Sequence, residues 1–212
     1  DNFYSDIDEI SVYVHLHVVP VQPTSYQMIS TFLDPIDPDV VPIMGDVVDG
    51  LSGDEWMIMI DLQNIYAPPP FNINTIGNWD VESAYALFLY DLPEATEVVI
   101  AGDPLEDNSM ELTDDFYYLP VLSDQNSPIA TIFTAPTVDI RTIFDPNTGL
   151  VYWPDGDLNF LTELVPGRGY QLSLKESASY PVSVDFPDYQ GYKIVDQPYQ
   201  PLETFCPWPL TR

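Results

Sequence analysis

Apolar and polar residues alternate with a period of two near the start of this chain. The first clear run is Ile10-Ser11-Val12-Tyr13-Val14-His15-Leu16-His17-Val18-Val19. Ile10, Val12, Val14, Leu16 and Val18 share one face of it, and Ser11, Tyr13, His15 and His17 share the other. This spacing predicts a strand of about ten residues with its aliphatic face turned inward and its histidines turned to solvent.

Further strands are expected at 26–33, 56–62 and 64–67, with a turn over 34–39 between the first two. Val40, Val41, Ile43, Met44, Val47 and Val48 form the wide apolar face of a short helix. Asp37 or Asp39 caps it, Pro38 falls in its first turn, and it ends near Asp49-Gly50. Residues 73–79 carry Ile76 and Trp79 into the core, and 85–90 with 97–101 are expected to make a closing hairpin. The same order then returns. A strand at 116–122 precedes a short helix at 129–133, strands at 138–144 and 150–153 flank the Asp145-Pro146-Asn147-Thr148-Gly149 turn, and 170–174 with 180–186 make a second hairpin.

The return is an internal repeat. Ile65-Tyr66-Ala67-Pro68 corresponds to Val151-Tyr152-Trp153-Pro154, and Ala84-Tyr85-Ala86-Leu87 to Gly169-Tyr170-Gln171-Leu172. Tyr66 and Tyr152 lie 86 positions apart and Tyr85 and Tyr170 lie 85 apart, a difference that one extra residue in the Pro68-Pro69-Pro70 loop absorbs. A repeat of this length fixes the architecture. The fold class is a strand-rich α+β: two tandem homologous modules of mostly antiparallel sheet with one short helix each. The organisation is an N-terminal strand or arm over 1–24, module 1 over 25–107, module 2 over 108–187 and an extended proline-rich tail over 188–212. The N-terminal strand lies outside the repeat, and the tail is too rich in proline for a helix or central strand.

Charge changes the picture of partners. The chain has 34 Asp and Glu against 5 Lys and Arg, and the basic residues (Arg141, Arg168, Lys175, Lys193, Arg212) all lie in its last third. Such a surface repels phosphate backbones and anionic lipid, which excludes nucleic acid as a partner. It promotes solubility, with a high-salt habitat and cation-binding loops as the sharper readings. A hydrophobic content of 45% argues for packed cores rather than disorder. The single Cys206 cannot form an internal bridge, and its state as a free or modified thiol is open. No apolar run is long enough to span a bilayer. The opening Asp1 is what a processed N-terminus looks like, so export stays open.

Catalytic constellations are poor. Both histidines sit on one strand and no nucleophile motif accompanies them, so no catalytic residue is assigned and the chain reads as a non-enzyme. His15 and His17 lie two residues apart on one face, but no further His or Cys joins them into a metal set. No cofactor is required, though calcium is a candidate. Asp34, Asp37 and Asp39 share one turn, Asp145 and Asn147 another, and Asp155 and Asp157 alternate with Asn159. None of these completes a calcium loop, and Asp and Asn also serve as plain turn and cap residues. Tyr66, Tyr152 and Trp153, with Tyr85 and Tyr170, are candidates for a sugar platform, or else for cross-strand pairs.

Tyr26-Gln27-Met28-Ile29-Ser30, Pro35-Ile36-Asp37-Pro38-Asp39-Val40, Tyr66-Ala67-Pro68, Asn74-Thr75-Ile76-Gly77-Asn78-Trp79 and Pro166-Gly167-Arg168-Gly169-Tyr170 together resemble a repeat module of secreted and cell-surface proteins of the Bacteroidetes. The resemblance covers roughly residues 25–186, and the Trp and Gly of the family's opening strand are replaced here. It implies export, by the type IX route, to an extracellular or cell-surface location, a non-catalytic role, and removal of a C-terminal sorting domain after secretion.

The function expected is therefore an extracellular structural protein, a filament or surface-layer subunit whose partners are copies of itself. Ile10, Val12, Val14, Leu16 and Val18 are the expected assembly strand, added to a neighbouring subunit's sheet. The alternative is a surface adhesin or carbohydrate-binding module for surface glycans.

Overall fold

The computed structural model describes residues 14–23, 25–51, 54–90, 95–133, 139–176, 178 and 180–191. The chain is strand-rich, with several antiparallel sheets and few, short helices. In order the elements are β1 (His15–Val21), β2 (Ser25–Ile29), β3 (Leu33–Pro35), α1 (Val40–Ile43), α2 (Gly45–Asp49), β4 (Trp56–Ile60), β5 (Ile65–Ala67), β6 (Ile73–Asn74), β7 (Tyr85–Tyr90) and β8 (Thr96–Pro104). The second half follows with β9 (Ser109–Leu112), β10 (Phe116–Leu119), β11 (Ser127–Pro128), α3 (Ile129–Ile132), β12 (Ile140–Phe144), β13 (Val151–Trp153), β14 (Leu158–Asn159), β15 (Glu163–Leu164), β16 (Tyr170–Leu174) and β17 (Val182–Asp185).

One strand order occurs twice. The first half has a five-stranded sheet β2-β7-β4-β5-β6, and the second has β10-β16-β12-β13-β14. The registers correspond as well. Tyr66 stands opposite Met59 and Asn74, while Tyr152 stands opposite Ile143 and Asn159. Tyr85 and Tyr170 open the central strands β7 and β16, and each hydroxyl accepts the amide five residues upstream, Asp80 and Val165 respectively, both at 2.7 Å.

Facing each five-stranded sheet is a smaller one. β1-β8-β3 packs over the first and the β17-β9 pair over the second. Val19, Val21, Val98 and Ile100 of the small sheet share a core with Met57, Met59, Tyr85 and Leu87 of the large one. In the second half Met110, Leu112, Val182 and Val184 meet Ile143, Tyr170 and Leu172 in the same way. Helices α1 and α2 pack on β8, and α3 packs on β17.

Several expectations change. β7 and β8 do not form a hairpin, and neither do β16 and β17. β7 is flanked on both sides by β2 and β4, so it has no free edge, and the chain crosses to the opposite sheet. β16, between β10 and β12, leaves β17 to pair with β9. The expected single helix over 40–48 is broken into α1 and α2 at Met44-Gly45. Asp39 caps α1, accepting the Val41 amide at 2.9 Å, and the first-turn proline is Pro42, whose missing N–H would have had no partner there.

The N-terminal strand differs most. Over its described part it is an element of its own chain's small sheet, running antiparallel to β8 from His15 opposite Gly102 to Val21 opposite Thr96. It also has a counterpart before the second five-stranded sheet, because β9 pairs with β17 as β1 pairs with β8. Its inward face is the reverse of the expected one: His17, Val19 and Val21 are buried, while Val14, Leu16 and Val18 are exposed. The reason is that Val19 and Val21 continue the histidine face as aliphatics, and those are the side chains the core takes. His17 enters with them because its Nδ1 bonds the Thr31 hydroxyl at 3.0 Å and its ring lies on Phe32, 4.2 Å between centroids. Ile10 and Val12 lie outside the described residues.

Candidate functional site

Three surfaces decide what this molecule can do: the seam between its halves, an acidic cleft beside that seam, and the outer face of β1 and β8. The seam is nearly two-fold. The Gly169 amide donates to the Met28 carbonyl at 3.0 Å, and the Ala84 amide donates to the Tyr118 carbonyl, also at 3.0 Å. Met28 and Tyr118 hold corresponding places in β2 and β10, one residue before the partners of Tyr85 and Tyr170. Met28, Ala84 and Ala86 are buried there with Tyr26, Phe88 and Tyr118 around them. A glycine is required at 169: a Cβ on it would lie 2.5 Å from that of Ala84 and 3.0 Å from that of Met28.

One side of the seam is closed. Asn147 spans it, its Oδ1 accepting the Met28 amide at 2.7 Å and its Nδ2 donating to the Met28 carbonyl at 2.9 Å. Asp145 holds Asn147 in place. Its carboxylate, 1% exposed, accepts the Asn147 amide, the Thr148 hydroxyl and the Arg168 guanidinium at 2.8, 2.7 and 3.1 Å.

The other side is open, as a cleft of about 370 Å³ lined by Asp61, Asp80, Glu82, Glu111 and Asp114 with Tyr117 and Tyr118. Asp61 follows β4 as Asp145 follows β12, but Ser83 stands two residues before Tyr85 where Arg168 stands before Tyr170. Its carboxylate instead accepts the amides of Gln63 and Asn64, both at 2.6 Å. Partial burial, followed by the Asp61 charge, raises the Tyr118 phenol above its ordinary pKa. Among the described residues no three His, Cys, Asp or Glu are grouped so as to hold a metal ion.

The third surface is apolar. β1 is the last strand of its sheet, with no strand on its other side among the described residues. Val14, Leu16, Val18 and Val99 are exposed on the outer face, Leu16 at 55%. Val18 stands opposite Val99 and Leu16 opposite Ala101, whose carbonyl accepts the amide of the exposed Ile36 at 3.0 Å. Leu16 and Val18 of β1, Val99 and Ala101 of β8, and Ile36 just after β3 thus lie in neighbouring register positions.

The structure distributes the other expected site residues widely. Asp34 lies in β3 opposite Asp103, and Asp37 and Asp39 serve the turn before α1, Asp37 accepting the Asp39 amide at 3.2 Å. Asp155 is paired with Lys175 at 2.7 Å, and Asp157 adopts a left-handed φ of 53° after the 3-10 turn Pro154–Gly156. Tyr66 is buried in the first core, Tyr152 is half-buried and Trp153 is exposed, so these three do not share a surface. Other aromatics share a face, the one of the first large sheet that carries the seam: Trp56 and Tyr90 stack with centroids 5.7 Å apart, and Tyr26 and Phe88 lie 4.8 Å apart. Their alternate spacing on β4 and β7 was legible, but their facing depended on which side the core took. Among the described residues no helix is long and apolar enough to cross a membrane.

Comparison with protein-family models, curated proteins and solved structures found no match to this chain.

Proposed function

We propose that the chain is a non-catalytic structural subunit of the cell exterior, built from two tandem copies of one β-rich module, and that it associates with copies of itself. The repeated strand order and the matched hydrogen bonds of Tyr85 and Tyr170 support the tandem reading. One observation carries the association: the exposed Val14, Leu16 and Val18 along an edge strand, with Val99 beside them on β8. Covering an aliphatic side chain of this size is worth about 1.5–3 kcal/mol, and an uncovered edge strand offers its backbone groups to a second chain. The N-terminal strand acts in this reading from within its own sheet, through its edge and outer face, rather than as a strand donated whole.

Sedimentation of the wild type and of a Leu16→Lys, Val18→Lys variant tests this. The wild type should associate with rising concentration, and the variant, with outward-facing changes only, should stay folded and monomeric. A monomeric wild type, or unchanged association in the variant, rejects the reading.

The Trp56–Tyr90 pair supports a second reading, a surface module for glycans. Trp56 beside Tyr90 offers ring faces of the kind that pack on sugars, and the acidic surface restricts the partner to neutral saccharides. Titration of Trp fluorescence with neutral oligosaccharides, in the wild type and in Trp56→Ala, tests it: saturable quenching lost in the variant is expected, and no response rejects it.

A further inference from the structure

The edge of β1 has a fixed hydrogen-bonding phase, and that phase selects its partner. Successive residues of a strand turn their backbone groups to opposite sides. The Ile36 amide donates to the Ala101 carbonyl at 3.0 Å, so Ala101 turns its backbone toward β3 and away from β1. Leu16 stands opposite Ala101, and Val18 opposite Val99, in the pairs that exchange no bonds. The N–H and C=O of Leu16 and Val18 therefore point outward, while those of His15, His17 and Val19 point to β8. Val14 precedes them in the outward phase. Pro20 shares it, the place where a proline's missing N–H costs a sheet nothing. Among the described residues no strand lies beyond this edge.

The other edge of the same sheet is a poor mate for it. In β3 the Leu33 amide is already donated to the Thr31 hydroxyl at 3.1 Å, Asp34 turns its backbone to β8 as Ile36 does, and Pro35 has no amide. Head-to-tail pairing of β1 with β3 of another copy would thus find no donor on the β3 side. A second β1 has donors and acceptors in the matching phase. Charge favours the same choice. From Ile10 to Leu33 no Asp, Glu, Lys or Arg occurs, in a chain of net charge −29. Edge strands are commonly protected by charged side chains, and β1 carries none. The nearest acids of the outer face, Glu97 and Asp103, lie on β8. In a pairing of two β1 strands each β8 would stand three strand spacings from its mate, about 14 Å, beyond the screening length of about 8 Å at physiological salt.

We infer that two chains join their β1 strands edge to edge, antiparallel about a two-fold axis at Leu16. Leu16 meets Leu16 of the second copy and Val14 meets Val18, each facing pair exchanging its outward N–H and C=O groups. One step along in the same phase, Pro20 would face Val14 and withhold its amide. The two small sheets become one continuous sheet, β3-β8-β1-β1-β8-β3, with Leu16, Val18 and Val99 of both copies on one face. A contact of this kind closes on itself, so the unit is a dimer. The inference rests on the self-association reading and gives that association its geometry.

The test uses the full chain with Cys206→Ser and single cysteines at exposed positions, oxidised mildly and run without reductant. Leu16→Cys chains should link to each other, because their Cα atoms would lie about 5.5 Å apart, within disulfide reach. Val14→Cys alone and Val18→Cys alone should not link, and a mixture of the two should. Val99→Cys should not link either, at about 14 Å from its mate. Linking at Val99→Cys with none at Leu16→Cys would mean stacked faces rather than joined edges and overturns the proposal. Self-linking of Val14→Cys or Val18→Cys to the level of Leu16→Cys overturns it as well.

Sedimentation gives a second readout. Val18→Pro removes an outward amide and leaves the bonds to β8 in place, so two bonds are lost per dimer and association should weaken by about tenfold. Unchanged association in that variant counts against the edge pairing. If the wild type associates while the cysteine pattern fails, the edge pairing is wrong and the self-association reading stands. A wild type that stays monomeric removes both.

Discussion

Ala84 and Gly169 stand in corresponding places in the two halves, and each donates its amide across the seam at 3.0 Å, to Tyr118 and Met28 respectively. A contact in which i meets j′ and j meets i′ is the signature of an isologous interface, normally found between two copies of a protein. Here it lies within one chain. The halves thus satisfy each other at this surface, which leaves the outer face of β1 for the association proposed above.

The close approach of these two residues sets a steric limit. Gly169→Ala should destabilise the protein by about 1–3 kcal/mol through overpacking against Ala84 and Met28. Adding Ala84→Gly should recover part of that loss. A thermal-melting double-mutant cycle measures it, and strict additivity would mean that the two side chains do not meet.

Asn147 should matter through the backbone it satisfies. Asn147→Ala removes both bonds to Met28 and leaves its buried amide without an acceptor, the carbonyl keeping the Gly169 amide, at a cost of about 1–3 kcal/mol. Denaturant unfolding should show the loss. A variant as stable as the wild type would show that the seam does not depend on this bridge.

The paired tyrosines offer a test of the tandem reading. Tyr85→Phe and Tyr170→Phe each leave one upstream amide, of Asp80 or Val165, without its acceptor, and each should cost about 1–3 kcal/mol. Comparable losses are expected from the two. A large loss in one and none in the other would separate the halves energetically despite their shared strand order.

His17 should give stability a pH dependence. Burial lowers its pKa from 6.5 to about 4, so the folded chain holds the ring neutral while the unfolded chain binds a proton at higher pH. Stability from this group is fully present above pH 6.5 and falls as the pH drops toward 4, by on the order of 3 kcal/mol. At roughly 2–4 °C per kcal/mol for a chain of this size, the melting temperature should drop visibly between pH 7 and pH 4.5. His17→Gln, which keeps a polar atom near Thr31, should flatten the profile in that window; an unchanged profile would rule His17 out.

Salt should raise stability. At a net charge of −29, with five carboxylates around one cleft, self-repulsion opposes the folded state and counterions screen it. Melting across ionic strength, with and without a chelator of divalent ions, should show a rising midpoint, and a chelator-sensitive part would support bound calcium. A flat response to both removes the high-salt and calcium readings.

The sequence by itself located most of the longer strands and the recurrence of one tyrosine pattern. Short apolar runs bounded by turn residues located β2, β4, β7, β12 and β16, because a strand buried in a core needs apolar side chains over only about four to eight residues. The offset between Tyr66 and Tyr152 and between Tyr85 and Tyr170 pointed to a shared strand order, because all four are held by local strand register and Tyr85 and Tyr170 each accept an amide five residues away. Tertiary structure decided which strands pair and which faces turn inward. Alternation over 10–19 offers two faces, and only Val19, Val21 and the pocket made by Thr31 and Phe32 select the one bearing His17. The hairpin expected after β7 failed because pairing depends on which edges remain free, and β2 and β4 had already taken both. The seam was illegible for a similar reason: Asn147 reads as a turn residue, and only the packing of the two halves brings it to Met28.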